Sequence, residues 1–309
     1  QRKHPRRDMN ILFDNVNLKS SSGPNGFAIK LADELRKQHS KVFTDLDSVN
    51  DTIDIQLSFI NSRFKLAPIV QRLDGIYFNS EQDFNSLNSA IKSTYRAAEV
   101  VIFQSEFNKK LTEHYFGVKE KSFIIHNGTN LEKINDVPAL DNAMLNRFDK
   151  VWTCASSWRP HKRLSENVRY FMEHSGKNDC LVIAGENPDI KVKNDRILYA
   201  GHLSWDELIA LFKKSSFFIH LAWLDHCPNV VIDARASGCH IICSSAGGTV
   251  EIAGTNSTVI VEDDWDFEPV KLYSPPPMDF LSVASSATDT DLAIGQVTKM
   301  YLAAFGAAL

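Results

Sequence analysis

Ser216-Phe-Phe-Ile-His-Leu-Ala-Trp-Leu-Asp-His-Cys-Pro-Asn-Val-Val-Ile-Asp-Ala-Arg-Ala-Ser-Gly-Cys-His-Ile-Ile-Cys-Ser-Ser-Ala-Gly-Gly-Thr-Val-Glu-Ile252 decides how the chain folds. An apolar run to Leu221, a loop, a short segment closed by Gly238 and a second apolar run to Cys243 predict strand, loop, helix and strand. Pro228 and Asn229 supply helix-start chemistry. The second strand runs into Ala246-Gly247-Gly248, where missing side chains let backbone N–H groups approach a ligand. Both loops then leave the carboxyl edge of parallel strands, where open α/β sheets bind ligands and helix N-termini favour anions.

Two acids punctuate this unit, Asp225 in the loop and Asp233 eight residues on, inside the helix. A carboxylate facing ligand accepts hydrogen bonds from hydroxyls at both oxygens. Taken singly, each also reads as an ordinary loop acid or an acid favoured by the helix dipole. Together they are more specific. The stretch resembles the signature of retaining family 4 glycosyltransferases: two acids at i and i+8, then Ala-x-Ala-x-Gly, a strand and Gly-Gly-x-x-Glu. Here these are Asp225, Asp233, Ala234 to Gly238, Ile241 to Cys243 and Gly247 to Glu251. The family usually carries Glu at both acid positions, where this chain has Asp.

A chain of 309 residues accommodates two modest domains, and 43% apolar with 23% charged residues is a soluble globular composition. The formal charge of −4 hides a basic start, Gln1-Arg-Lys-His-Pro-Arg-Arg-Asp8, expected to be a disordered leader with at most weak peripheral membrane contact. No apolar run reaches spanning length and no signal-peptide core follows the basic start, so a cytoplasmic location is expected. Five cysteines without a CxxC pair argue against a disulfide framework. The spacings of Cys227, Cys239 and Cys243 with His226 and His240 match no zinc pattern. Sequons at Asn127 and Asn256 need a secretory route. Apart from the leader there is no basic stripe for nucleic acid.

From the N-terminus, Asn10–Asp14 reads as a strand, Asn15 to Gly26 as a polar Gly-containing loop, and Phe27, Leu31 and Leu35 as one face of a helix. The loop lacks Gly-x-Gly-x-x-Gly, which weakens a dehydrogenase reading. It resembles the Gly-rich first loop of family 4 enzymes, and by that resemblance Gly23, Asn25 and Gly26 sit near donor phosphates or acceptor. Strands follow near 41–44 and 53–58, then Ala67 to Leu73, which ends in Asp74-Gly75. The family often carries a donor-facing His at this strand end, and Asp74 takes its place. Arg63, Lys65, Arg72 and Tyr77 are either acceptor surface or solvated loop. Helix 87–98, strand 100–104, a helix capped by Ser105 and strand 122–126 complete a first domain over 9–130.

Residues 131–149 read as linker, 150–285 as a second Rossmann-like domain, and 286–309 as a C-terminal segment with a helix, which by resemblance to two-domain glycosyltransferases would pack back on the first domain. Ser156-Ser-Trp-Arg-Pro-His-Lys-Arg163 places four basic or potentially basic side chains before helix 164–174, a setting for a diphosphate or simply a solvated basic turn. The loop resembles the family's donor-phosphate loop, with Lys162 as its Lys; Ser156 and Ser157 stand where the family has Arg, and Arg159 is the substitute. Ser204-Trp-Asp-Glu207 is a capping box. His202, at a strand end, would by resemblance lie against the base.

The resemblance implies an α/β fold of GT-B type, two facing Rossmann-like domains with an interdomain cleft. It implies retaining transfer from a UDP or GDP sugar to a glycan or lipid-linked glycan, with no cofactor, metal or nucleic acid. By it, Lys162 and Arg159 neutralise the leaving diphosphate, the Asn229, Val230 and Val231 amides add a helix N-terminus, and Gly247, Gly248 and Thr249 line the pyrophosphate pocket. Asp225 would bind sugar hydroxyls and Asp233 the ribose. An epimerase or hydrolase of the same fold would consume donor without acceptor. A non-catalytic sugar-nucleotide-binding protein would bind donor without turnover.

Overall fold

The computed structural model describes residues 8–20, 23–49, 51–286 and 288–309. All of the expected leader but Asp8 lies outside them, as do Ser21 and Ser22 of the Gly-rich loop. The chain divides into two compact units, one of residues 1–77, 83–128 and 292–309, the other of 78–82 and 129–291.

In the first unit the elements run β1 (Asn10–Asp14), α1 (Gly23–Lys37), β2 (Lys41–Phe43), β3 (Ile55–Phe59), β4 (Ile69–Leu73), α2 (Phe84–Ala97), β5 (Val100–Phe103), α3 (Glu106–Phe116) and β6 (Ser122–Ile124). The strands form one parallel sheet in the order β2-β1-β3-β4-β5-β6. β3, β4 and β5 are buried throughout, as strands of a parallel sheet covered on both faces should be, although β3 and β4 bury Gln56, Ser58, Gln71 and Arg72 among their apolar residues. Asp83 and Ser105 cap α2 and α3 by accepting the amides of Ser86 and Asn108. One expectation is corrected: Gly23 to Gly26 are the first turn of α1, not loop. Pro24 does not prevent this, because first-turn N–H groups have no intrahelical partner to lose.

The second unit contains α4 (Leu131–Asp136), β7 (Val151–Ala155), α5 (Leu164–His174), β8 (Cys180–Ala184), β9 (Ile197–Gly201), α6 (Trp205–Lys214), β10 (Phe217–His220), α7 (Asn229–Ala236), β11 (His240–Ser244), β12 (Ser257–Ile260) and β13 (Val283–Ala284). Residues 131–149 thus hold α4 and a 3₁₀ turn, Leu145–Arg147. The order is β13-β12-β11-β10-β7-β8-β9, all parallel except β13. Ser204 and Glu207 form the anticipated capping box of α6. Trp152, Phe171, Leu181, Ile219 and Ile242 anchor the core beneath these strands.

The final helix, α8 (Ile294–Ala308), belongs to the first unit. Val297, Tyr301, Ala304 and Phe305 bury against Phe27, Leu31 and Leu35 of α1 in one core. Tyr301 also accepts the Nε–H of Arg72 at 3.1 Å, and Arg72 is fully buried beneath the rings of Phe27 and Phe59. Among the described residues no helix is long and apolar enough to cross a membrane.

Candidate active site

The second sheet changes direction at β7, whose neighbours are β8 on one side and β10 on the other. In open α/β sheets ligands sit outside the carboxyl ends of strands at such a reversal, where adjacent loops part. The loops leaving β7 and β10 carry Lys162 and Asp225, and they meet: Lys162 Nζ lies 2.6 Å from Asp225 Oδ2. His220 Nε2 is 2.9 Å from the same oxygen, while Asp225 Oδ1 accepts the His226 amide at 3.0 Å. The sequence put Lys162 and Asp225 on separate parts of a ligand; here they are bonded to each other.

Backbone bonds lace the surrounding loops. Trp223 N–H donates to His161 O at 2.7 Å, Leu224 N–H to Ala246 O at 3.0 Å and Gly248 N–H to Asp225 O at 2.7 Å. Gly247 has φ +119°, and a Cβ there would stand 2.6 Å from Asp225 O, so only glycine lets the two loops close. Leu224 and Arg163 adopt left-handed φ of 56° and 54°, conformations that non-glycine residues take when the surroundings impose them. Gly185, at φ +107°, lets the loop after β8 pack on Ser156 O, which a Cβ would meet at 1.8 Å.

Of the four basic side chains expected to face a diphosphate, two do other work. Arg163 is buried and forks onto Glu262 at 2.9 and 2.8 Å, also donating to Pro276 O at 2.9 Å. Glu262 is further held by the Ser244 hydroxyl. His161 is uncharged: burial, then neighbouring Lys162, lowers its pKa to about 3. Arg159 is exposed, so Arg159 and Lys162 are the loop's available cations. Burial works to raise the Asp225 carboxyl, but Lys162 and His220 outweigh it and hold it well below the usual range. Burial lowers His220 despite its bond to Asp225, and lowers His226 to about 4.

These histidines make acid stability testable. Their folded pKa values lie below the unfolded value, so the unfolded chain binds protons that the native chain refuses. Stability is complete above about pH 6.5 and falls with acidification toward the folded values, by about 1.4 kcal/mol per pH unit for each histidine. Denaturant midpoints should be level from pH 7.5 to 7 and drop from pH 6 to 5, and His226→Gln should flatten that drop. A level midpoint from pH 7 to 5 would contradict the burial of neutral imidazoles.

Other expected residues are dispersed. Asp233 is buried, and its oxygens accept the Thr129 hydroxyl at 2.6 Å and Trp205 Nε1–H at 3.0 Å. The Val231 amide donates to Pro228 O at 3.1 Å and is already used. Asn229 and Val230 open α7, whose capping position, Pro228, makes no side-chain cap. Gly248 and Thr249 are buried beside the loop of Asp225, and the Thr249 hydroxyl has no hydrogen-bond partner; neither does buried His161 Nδ1. His202 is exposed 3.8 Å from Glu186. It follows β9, two strands from β7 and hence roughly 10 Å from the reversal.

In the first unit, Gly26 and Asn25 lie in α1, where Asn25 Oδ1 accepts the Asn17 amide at 2.9 Å. Asp74 directly follows β4, with one oxygen taken by Arg72 and Gln104; its other oxygen is buried and unpartnered. Burial pushes its carboxyl up against the pull of Arg72. Asn127 is buried and accepts from Arg72 Nη2 at 2.7 Å, which removes it as a glycan acceptor. Sequence reasoning missed His220, Arg163–Glu262 and Thr129. His220 was findable as the polar end of a buried strand, whereas the others join residues about a hundred positions apart. Among the described residues no group of three His, Cys, Asp or Glu side chains is placed to hold a metal.

Residues 150–268 match the model of the family described as Glycosyl transferases group 1. No curated protein sequence matches the chain. HepE of Anabaena, solved with UDP-glucose, superposes with a TM-score of 0.57 at 14% identity, over 79% of this chain and 82% of that one. Sucrose-phosphate synthase from Thermosynechococcus elongatus gives 0.61 at 12% identity, over 98% and 91%. The catalytic domain of starch synthase IV from Arabidopsis thaliana, bound to ADP and acarbose, gives 0.63 at 10% identity, over 98% and 99%. At these identities the likeness is one of fold: two α/β units built on parallel sheets, as in the GT-B glycosyltransferases.

Proposed function

We propose that this chain, whose residues 150–268 form a group 1 glycosyl transferase domain, moves a sugar from a nucleoside-diphosphate sugar to an acceptor hydroxyl with retention at the anomeric carbon. The observation that carries this is the pairing of Lys162 with Asp225 at the strand reversal of the second sheet. A departing diphosphate needs positive charge and oriented N–H groups more than it needs a nucleophile. Lys162 and Arg159 supply the charge, and the start of α7 with Gly247 to Thr249 lines the pyrophosphate.

Lys162 is drawn from Asp225 to the phosphates, and the carboxylate is released to accept sugar hydroxyls while His220 keeps its orientation. The acceptor attacks on the face the diphosphate leaves, and a phosphate oxygen takes its proton. Asp233 braces α7 and contacts no substrate. The first unit takes the acceptor, a glycan or lipid-linked glycan, with Asp74 receiving a hydroxyl at its unpartnered oxygen.

Thermal shift against UDP, GDP, ADP and their glucose or mannose conjugates tests the donor. At a hundredfold excess over Kd the preferred nucleotide should raise Tm by roughly 5 °C or more. ³¹P NMR should then show that donor consumed, and ¹H NMR of the product's anomeric proton should show the donor's anomeric configuration conserved. No shift with any nucleotide would overturn the proposal; a shift without consumption would leave a binding protein.

A further inference from the structure

The first sheet has its own reversal. From β1 the chain goes outward to β2 and returns on the far side of β1 as β3, so the loops after β1 and β3 part from each other at the carboxyl edge. By the same rule that locates the donor, this is a ligand position. Asn15, at φ 62°, ties the two loops together: its Nδ2 donates to Phe59 O at 2.9 Å and to Asn61 Oδ1 at 3.1 Å.

Beneath them lies Asp14, the last residue of β1 and fully buried. It accepts from Gln56 Nε2 at 3.1 Å and from the hydroxyls of Ser58 and Ser62 at 3.3 and 3.0 Å. Its cation is Arg63, whose own amide and Nε donate to the two carboxylate oxygens at 3.1 and 3.0 Å. The two members of this pair are buried very unequally. Here the Asp14 side chain is 0% exposed and that of Arg63 is 56% exposed.

The carboxylate therefore fixes the guanidinium from behind and leaves the Nη1 and Nη2 edge to solvent. A fixed fork of two donors is the geometry that meets a phosphate or carboxylate bidentately, with little rotamer entropy left to lose. Residues 15–20 and 60–68 also carry Lys19 and Lys65 and contain no Asp or Glu. α1 opens next to this loop with no acid in its first turn.

We infer that this nest is an anion subsite for the acceptor, so that the acceptor carries a phosphate or a carboxylate gripped by Arg63, with Lys19 and Lys65 as mobile charges. The word acceptor rests on the glycosyltransferase reading; anion binding does not. The test titrates the whole chain, without nucleotide, with glucose 6-phosphate, glucuronate and glucose, and separately with phosphatidylglycerol vesicles in phosphatidylcholine. At least one anionic probe should bind ten times tighter than glucose. The sugar phosphate, the uronate and the vesicles distinguish a phosphorylated, an acidic and a lipid-linked acceptor.

Arg63→Lys, which keeps the charge facing Asp14 but loses the fork, should weaken that probe tenfold or more with an unchanged denaturation midpoint. Lys65→Ala should weaken it less. The inference is overturned if no anionic probe outbinds glucose, or if Arg63→Lys binds as the wild type does. Nucleotide titration of the wild-type chain is read separately, so loss of the donor reading and loss of this one are distinguishable.

Discussion

Lys162→Met should lower sugar transfer by about three orders of magnitude, the scale on which removing one preorganised charge-stabilising donor acts. The side chain stands at the parting of the loops from β7 and β10, 2.6 Å from Asp225. Its loss removes the cation proposed for the leaving diphosphate and also leaves a partly buried carboxylate to His220 and the His226 amide. Those two effects separate by adding Asp225→Asn. The double variant should regain the stability lost in the single one, since no unpaired charge remains, yet show no recovery of transfer. Denaturant midpoints and initial rates on the four chains of the cycle provide the check. Recovery of both together would make the pair structural and remove Lys162 from the chemistry.

The largest loss of stability should follow Arg163→Met. The guanidinium is buried, forks onto Glu262 and ties down Pro276, so its removal strands a carboxylate and a carbonyl. Breaking such a pair from one side costs about 3–5 kcal/mol. Methionine also inherits the left-handed φ of 54° without the hydrogen bonds that enforce it. Glu262→Leu added to Arg163→Met should recover a substantial part, because the desolvated charge is gone. Equilibrium urea unfolding of the wild type and the two variants measures this. A loss below about 1 kcal/mol for Arg163→Met would show that Glu262 finds water or another partner.

What could be read ahead of the structure was whatever lies within one strand-loop-helix repeat. Buried strands announce themselves as continuous apolar runs, and Gly238 and the Ser204–Glu207 box mark helix ends by local chemistry alone. That Lys162 and Asp225 lie in loops at the carboxyl ends of parallel strands was legible in the same way, but their bond to each other was not. Partnerships across the fold were not. Asp233 looks like a solvent-facing helix acid until Thr129 and Trp205, from two other elements, close on it. Arg163 is indistinguishable by type from Arg159, four residues before it, and only the approach of Glu262 makes one structural and leaves the other exposed. The start of α1 was misplaced because glycine, proline and asparagine are loop-forming residues that a helix's first turn also tolerates.

Calorimetric titration of the preferred nucleotide sugar into the wild-type chain and into Lys162→Met bears most directly on the donor site. One donor should bind per wild-type chain, and the variant should bind it at least a hundredfold more weakly, about 2.7 kcal/mol. Equal affinity in the two chains would place the diphosphate elsewhere and contradict the account.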